Sequence, residues 1–211
     1  DPDGDAVSLS AYGGPLEFDN NAATFSQFSA GNPATFSWNT TCDHVRLAPY
    51  QVVFKAEDNH PSGSLTSYAT VNITVVAPAP ENPEAIPELG TIALSWDESI
   101  CNEANAYKVY RRAGSYGFEP GFCETVVPAY PGYELLTTVD GLENTTYLDD
   151  NDITFGVGYC YLVVACFPDG AESYASDEFC AQIDAEIPLI THNSVGITDA
   201  SSGIDTLRWQ R

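Results

Sequence analysis

The chain contains 211 residues, and its 30 Asp and Glu against 7 Lys and Arg give a formal net charge of −23 at pH 7. This charge excludes tight binding to nucleic acid, which requires clustered basic residues, and it opposes binding to an anionic membrane surface. The longest apolar run, 159–167, is far shorter than the ~20 residues of a membrane-spanning helix. We therefore expect no nucleic-acid partner and no membrane span. A hydrophobic fraction of 44% predicts packed cores.

The six cysteines include no Cys-x-x-Cys pair. This spacing argues against a structural zinc site and favours disulfides formed in an oxidising compartment. The sequence does not begin with Met and shows no charged-then-apolar signal segment. We interpret it as part of a longer, extracellular protein.

Short segments with alternating apolar and polar residues recur along the chain, while helical periodicity is nearly absent. This pattern predicts an all-β fold. In 1–77, strands are expected at 6–11, 34–38, 50–56 and 67–76, with turns rich in Gly, Asn and Pro between them. These strands predict a first β-sandwich.

A proline-rich segment at 78–83 follows, and proline at this density favours a stiff, extended linker. Beyond it, strands at 91–96, 106–111, 133–139, 145–148, 159–167 and 172–183 predict a second sandwich over 84–185. The Leu-x-Trp pattern of 94–96 returns at 207–209. We interpret 186–211 as the truncated start of a third, similar unit, so the chain is expected to be a tandem array.

Several motifs of the second predicted sandwich place aromatic and branched residues at alternate positions. These are Leu94-x-Trp96, Tyr107-x-Val109-Tyr110-Arg111-Arg112, Thr145-Thr146-Tyr147 and Tyr159-x-Tyr161-x-Val163-x-Ala165. Trp96 is expected to anchor the core, and the alternating residues are expected to point inward. The succession resembles a fibronectin type III domain, which implies an immunoglobulin-like β-sandwich.

A wider set of motifs combines the cysteines with the aromatic and turn residues around them: Cys101, Cys123-Glu124, Gly132-Tyr133, Tyr159-Cys160-Tyr161, Phe167-Pro168-Asp169-Gly170 and Cys180. This combination resembles the gliding-motility-associated surface proteins of Bacteroidota, which the type IX system secretes. The first predicted sandwich is similar to the cadherin-like or PKD-like repeats of these proteins. The resemblance implies a location on the outer-membrane exterior. Its implied partners are neighbouring repeats, the secretion machinery in transit, and a surface polysaccharide or another surface protein.

Six cysteines allow fifteen pairings, so the sequence leaves the disulfide scheme open. If the last two strands of the second sandwich form a hairpin that turns at 168–171, Cys160 lies opposite Cys180. We expect these two residues to bond on the face away from the core. Cys101 and Cys123 bracket the loop before the Tyr-Arg-Arg strand and the insertion after it, and a second bridge is expected between them.

Cys42 and Cys166 then remain, in separate predicted sandwiches. We interpret both as buried thiols, since unpaired cysteine behaves as a small hydrophobic residue. A bond between them is the alternative.

The entry of the chain places carboxylates at alternate positions, Asp1, Asp3 and Asp5, with Gly4 allowing a turn. Calcium prefers six to eight such oxygen ligands. The similarity to cadherin-like repeats implies Asp58 and Asn59 as further ligands. A calcium site at this end of the first sandwich is one interpretation of these residues, and a solvated turn is the other.

The insertion at 114–132 carries four aromatic residues among glycines and prolines: Tyr116, Phe118, Phe122 and Tyr130. Planar side chains on a rigidly held loop can stack on sugar rings or contact a partner protein. The alternative, which we favour, is that these rings cover the sandwich and protect its edge.

Known catalytic motifs are missing from the sequence, including a Gly-x-Ser-x-Gly elbow, a phosphate loop and a dinucleotide fingerprint. Small sandwiches also offer few deep pockets, so we predict that the chain is not an enzyme. The predicted function is a stalk or adhesin segment of a large surface protein, exported as type IX cargo. The alternative is an accessory carbohydrate-binding or spacer region of a secreted hydrolase.

Overall fold

The computed structural model describes residues 5–61, 63–121, 125–184 and 189–210. The described chain is all-β, as predicted, with two short 3-10 turns at Gly14–Leu16 and Cys42–His44. The strands are β1 Ser8–Tyr12, β2 Thr24–Gln27, β3 Ala34–Ser37, β4 Tyr50–Glu57, β5 Thr66–Ile73, β6 Glu84–Pro87, β7 Ile92–Ser95, β8 Ala106–Ala113, β9 Glu134–Asp140, β10 Thr146–Asp149, β11 Gly158–Cys166, β12 Phe179–Gln182, β13 Leu189–Ile197 and β14 Ile204–Gln210. Within the described residues, no helix has the length and apolar character that crossing a membrane requires.

The first sandwich consists of an antiparallel sheet, in the order β1-β4-β5, and the β2–β3 hairpin. Phe54 of β4 lies 5.8 Å, between ring centroids, from both Phe25 and Phe36, which pair across the hairpin. Trp38 lies 4.9 Å from the ring of Tyr50 in an edge-to-face arrangement. Aromatic rings therefore hold together a small core between a three-stranded and a two-stranded layer.

The second sandwich consists of two sheets in the orders β10-β7-β6 and β12-β11-β8-β9. Three strands facing four is the immunoglobulin-like arrangement that the resemblance implied. Trp96, Tyr107, Tyr161 and Val163 lie in one buried core between the sheets. Side chains on the other face of β11, such as Leu162, are equally buried, because the 114–132 insertion covers that face.

A buried ion pair stabilises the second sandwich where β10 ends. Asp149 is fully buried, and Arg111 donates from Nη1 to both of its carboxylate oxygens, at 3.0 and 2.9 Å. The hydroxyl of Tyr161 donates to Asp149 Oδ2 at 2.8 Å, and the amide of Asn151 donates to Oδ1 at 3.2 Å. Since buried charges are tolerated only when paired and hydrogen-bonded, this network fixes the chain at the corner after β10.

The last described segment is an antiparallel hairpin of β13 and β14. Four large apolar side chains of this hairpin are more than half exposed: Val195, Ile197, Ile204 and Leu207. The predicted division into 1–77, 78–83, 84–185 and 186–211 stays a prediction.

Candidate functional site

A disulfide between Cys42 and Cys101 joins the two sandwiches, with a Cα–Cα distance of 5.2 Å. The predictions of a Cys101–Cys123 bridge and of a free thiol at Cys42 are therefore wrong. The physical reason is that the 3-10 turn of the first sandwich packs on the second, where Cys42 and Val45 contact its hydrophobic core. Cys101 is fully buried at this contact, and Cys123 lies outside the described residues.

Further contacts surround this bridge. The carboxylate of Asp169, in the β11–β12 loop, accepts a hydrogen bond from the amide of Leu47 at 2.8 Å. Asp169 also accepts a bond from the amide of Ala171 at 3.0 Å, and these two backbone donors lower the pKa of Asp169 below its usual 3.8. The contact between the sandwiches therefore combines a covalent bond with a charge-assisted hydrogen bond.

The proline-rich segment is attached to the second sandwich. Ala77, which precedes the segment, is fully buried, and its carbonyl accepts a hydrogen bond from the amide of Tyr174 at 3.1 Å. The amide of Asp97 donates to the carbonyl of Glu81 at 2.9 Å, and Asn82 Nδ2 donates to Asp97 Oδ2 at 2.6 Å. These bonds hold both ends of the segment against the second sandwich.

The described rings of the 114–132 insertion divide into one that packs and two that face solvent. Phe118 is 4% exposed and packs on Leu162 and Val164, which lie on the outer face of β11. Tyr116 and Tyr130 are 49% and 61% exposed, with their centroids 6.2 Å apart. The fourth predicted residue, Phe122, lies outside the described residues.

Glu178, just before β12, anchors the first part of this insertion. Its carboxylate accepts hydrogen bonds from Ser115 Oγ at 2.5 Å, from the Tyr116 amide at 2.7 Å, from the Gly117 amide at 2.9 Å and from the hydroxyl of Tyr133. Burial alone raises the pKa of Glu178, but these donors outweigh it and lower the pKa from 4.5 to about 2. The pKa of Tyr133 is raised, chiefly by burial and also by this carboxylate.

Arg112 of β8 adds a positive charge beside the exposed rings. Its guanidinium carbon lies 5.4 Å from the centroid of the Tyr116 ring and 5.8 Å from that of Tyr133. These distances allow cation–π interactions between Arg112 and the two rings. The structure therefore places the guanidinium of Arg112 on β8 beside Tyr116, an exposed tyrosine in the part of the insertion that Glu178 holds.

Cys160 and Cys180 form the other disulfide, at directly opposed positions of β11 and β12, as the hairpin register predicted. Cys160 is on the face away from the main core, but it is buried beneath the insertion. Cys166 is a free, half-buried cysteine, also as predicted. Burial raises the pKa of its thiol, which therefore stays protonated at neutral pH.

The predicted calcium ligands are only partly described, because Asp1 and Asp3 lie outside the described residues. Asn59 Oδ1 accepts a hydrogen bond from the amide of Ala6 at 3.2 Å, so Ala6 lies beside the 58–59 turn. The amide of Leu65 donates a hydrogen bond to Asp58 Oδ1 at 2.8 Å. Calcium at this turn, with Asp5 as a further ligand, stays a prediction.

One group of potential metal ligands is found among the described residues, formed by Cys160, Glu178 and Cys180. Both sulfur atoms of this group belong to a disulfide, and the carboxylate is already hydrogen-bonded by four donors. The group is therefore part of the anchor of the insertion.

The roles of three residues in these contacts were not predicted from the sequence: Cys42, Asp169 and Glu178. The sequence contains no pattern that marks the roles of Cys42 and Asp169, because these roles depend on how the two sandwiches lie against each other. Glu178 could have been noticed, because alternation along the expected strand 172–183 places it on the same outward face as Cys180.

No protein-family model matches the sequence, and no curated protein matches it significantly. Solved structures to which the chain is similar include an Fn3-like protein from Clostridium thermocellum, at 25% identity and a TM-score of 0.38, covering 53% of this chain and 98% of that one. A segment of two fibronectin type III domains from chicken tenascin is 12% identical, with a TM-score of 0.42 and 84% of each chain covered. Domains A168–A170 of titin are 14% identical, with a TM-score of 0.39, covering 85% of this chain and 55% of that one.

Proposed function

We propose that this chain is a non-catalytic structural segment of a large secreted or cell-surface protein, in which it holds two sandwiches at a fixed relative orientation. The observation that carries the proposal is the Cys42–Cys101 disulfide between the sandwiches. Sandwiches that move freely relative to each other would need no covalent bond where they touch. The Leu47–Asp169 hydrogen bond and the attachment of the proline-rich segment support the same function.

The composition also suits a spacer. Two disulfides suit an oxidising environment outside the cytoplasm. A net charge of −23 limits non-specific association between copies of the protein. A stalk or adhesin role, with type IX secretion as the export route and the outer-membrane exterior as the location, follows from the resemblance. The complete gene product would test this route, because a terminal sorting domain is expected in it.

The rigidity of the segment can be measured by 15N relaxation. We expect amides of the two sandwiches to report one rotational correlation time in the oxidised protein. The variant Cys42→Ala/Cys101→Ala should give two shorter and different correlation times, because only non-covalent contacts then remain. The control Cys160→Ala/Cys180→Ala removes a bridge within one sandwich and should leave the single correlation time unchanged. Two different correlation times in the unmodified protein would contradict the proposal.

A second candidate function is carbohydrate binding by the insertion. The specific observation is that Tyr116 and Tyr130 are 49% and 61% exposed, although Phe118 of the same loop is buried. Tyrosine rings stack on the apolar faces of sugars, and Arg112 can donate hydrogen bonds to hydroxyl groups. The anchoring of the loop by Glu178 lowers the entropy that binding would cost.

A glycan array with variants separates this candidate from a purely structural insertion. Tyr116→Ala and Tyr130→Ala should each abolish binding to a polysaccharide without changing the unfolding midpoint. Phe118→Ala is the matched control, because it should lower the midpoint through loss of packing. No glycan bound by the unmodified protein would exclude this candidate and leave the spacer function untouched.

Calcium binding at the 58–59 turn remains part of the proposal for the first sandwich. The Ala6–Asn59 hydrogen bond supports it, because it places Ala6, the neighbour of Asp5, beside this turn. Thermal unfolding in calcium and in chelator tests it, and a higher midpoint in calcium is expected. This shift in the unfolding midpoint should disappear in Asp58→Asn. Equal midpoints of the unmodified protein in calcium and in chelator would contradict calcium binding and favour a solvated turn.

A further inference from the structure

One edge strand of the first sandwich, β5, has none of the usual protections of a sheet edge among the described residues. β5 lies at the edge of the order β1-β4-β5, and within the described residues no strand pairs with its far side. An open edge presents unpaired backbone donors and acceptors, which proteins usually block with lysine, proline, a bulge or a covering segment. β5 contains no charged residue and no proline, and its eight pairs with β4 run without a register shift.

β5 is also exposed on both faces. Thr66 to Asn72 are all exposed, with Tyr68 and Val71 at 64% and 44%. The facing layer has two strands only, and it packs on Phe54 of the central strand. β5 lies beside this small core, and its residues Thr66 to Asn72 stay exposed.

The charge distribution indicates which partner could approach this edge. The chain carries 30 acidic residues, yet 59–80 contains no Asp, Glu, Lys or Arg. Elsewhere, two copies of a molecule with a net charge of −23 repel each other. A basic partner would be attracted to the acidic surface, whereas an uncharged strand is where another copy of the same acidic chain can approach without like charges facing each other.

We propose that β5 pairs with β5 of a second copy of this chain, joining two sheets into one six-stranded antiparallel sheet around a two-fold axis. Antiparallel pairing of identical strands sets residues of the same face opposite each other. A register centred on Ala69 sets Tyr68 opposite Thr70 of the second copy, and aromatic and β-branched residues form favourable cross-strand pairs. This inference goes beyond the spacer function and does not depend on it.

Sedimentation velocity over a range of protein concentrations tests the pairing. We expect a monomer–dimer equilibrium in which salt increases the dimer fraction, because salt screens the repulsion between the acidic surfaces. Thr70→Lys should weaken the dimer by at least about tenfold, since two lysines would lie near the two-fold axis. Gln51→Lys is the matched control: Gln51 is exposed on the central strand, on the same face of the sheet, and should leave the dimer unchanged.

A cross-link reports the register directly. Ala69→Cys should yield a dimer that peptide mapping shows to be joined through position 69, since the two side chains face each other across the axis. Unchanged unfolding midpoints would show that the variants fold. A monomer at every concentration and salt level would overturn the proposal. So would a dimer that is insensitive to Thr70→Lys, because it would use another surface.

Discussion

At the scale of single residues, the second sandwich depends on a few polar side chains that are completely paired. Asp149 accepts four hydrogen bonds from described groups in its buried position, two from Arg111 and one each from Tyr161 and the amide of Asn151. In the sequence, Asp149 begins an acidic run at 149–152. This first residue of the run is nevertheless buried, because β8 places Arg111 beside it.

We expect Asp149→Asn to reduce the free energy of unfolding by about 3–5 kcal/mol, because it leaves Arg111 without its counter-charge in a mostly buried position. Tyr161→Phe removes one hydrogen bond and should cost about 1 kcal/mol. Urea unfolding measures both changes. The neighbouring Asp150→Asn, at an exposed position, is the control and should have little effect. Equal effects at 149 and 150 would contradict the role of the buried pair.

Glu178 makes the insertion sensitive to acid. Its pKa is lowered on folding from 4.5 to about 2, so the stabilisation it provides is complete above pH 4.5 and is lost as the pH falls toward 2. We expect the amide resonances of Tyr116 and Gly117 to shift with a midpoint near pH 2. Glu178→Gln should abolish this transition, whereas Glu119→Gln, in the same insertion, should preserve it. A midpoint near 4.5 in the unmodified protein would contradict the anchoring role.

At the scale of strands, most of the architecture could be predicted from alternation and turn residues. The opposed positions of Cys160 and Cys180 followed from a hairpin about 168–171. β2 and β6 were not predicted. β6 ends at a proline, which ordinarily argues against a strand. The strand expected at 172–183 is limited to β12, Phe179–Gln182, in the structure. Before β12, the side-chain hydroxyls of Ser173 and Ser176 accept hydrogen bonds from amides of β11.

The backbone directly after β1 requires a glycine at position 13. Gly13 has φ 146°, and a Cβ at this position would lie 2.3 Å from the carbonyl oxygen of Gln51 in β4. Gly13→Ala should therefore lower the free energy of unfolding by about 1–3 kcal/mol. The adjacent Gly14→Ala is a matched control, because nothing lies within 4 Å of its Cβ position. Chemical denaturation measures the free energy of unfolding of both variants. Equal values for the two variants would contradict the close approach of Gly13 to β4.

At the scale of the whole molecule, the contact between the sandwiches could not be predicted from the sequence. Period-two patterns define which face of a strand is buried, but they contain no information on how one sandwich lies against the next. Cys42 therefore looked like an isolated thiol. The candidate site on the insertion was predicted as a group of four rings, and the structure separates the buried Phe118 from the exposed Tyr116 and Tyr130.

The two disulfides should differ in their effect on stability. Cys42 and Cys101 are 59 residues apart in sequence, and Cys160 and Cys180 are 20 apart. In the chain-entropy model, the disulfide that closes the longer loop stabilises the folded state by about 4 kcal/mol, and the one that closes the shorter loop by about 3 kcal/mol. Cys42→Ala/Cys101→Ala should therefore lower the urea midpoint more than Cys160→Ala/Cys180→Ala. The reverse order would show that strain or residual structure outweighs loop length.

The Cys42–Cys101 bridge also shortens the covalent path along the molecule. If the protein is pulled from its two ends, tension passes through the sulfur–sulfur bond and bypasses the 59-residue span that includes β4, β5, β6 and β7. At about 3.4 Å per extended residue, roughly 200 Å of contour length stays hidden while the bond is intact. Reduction of this one bond would release that length, so the thiol–disulfide balance of the surroundings sets how far the protein can stretch.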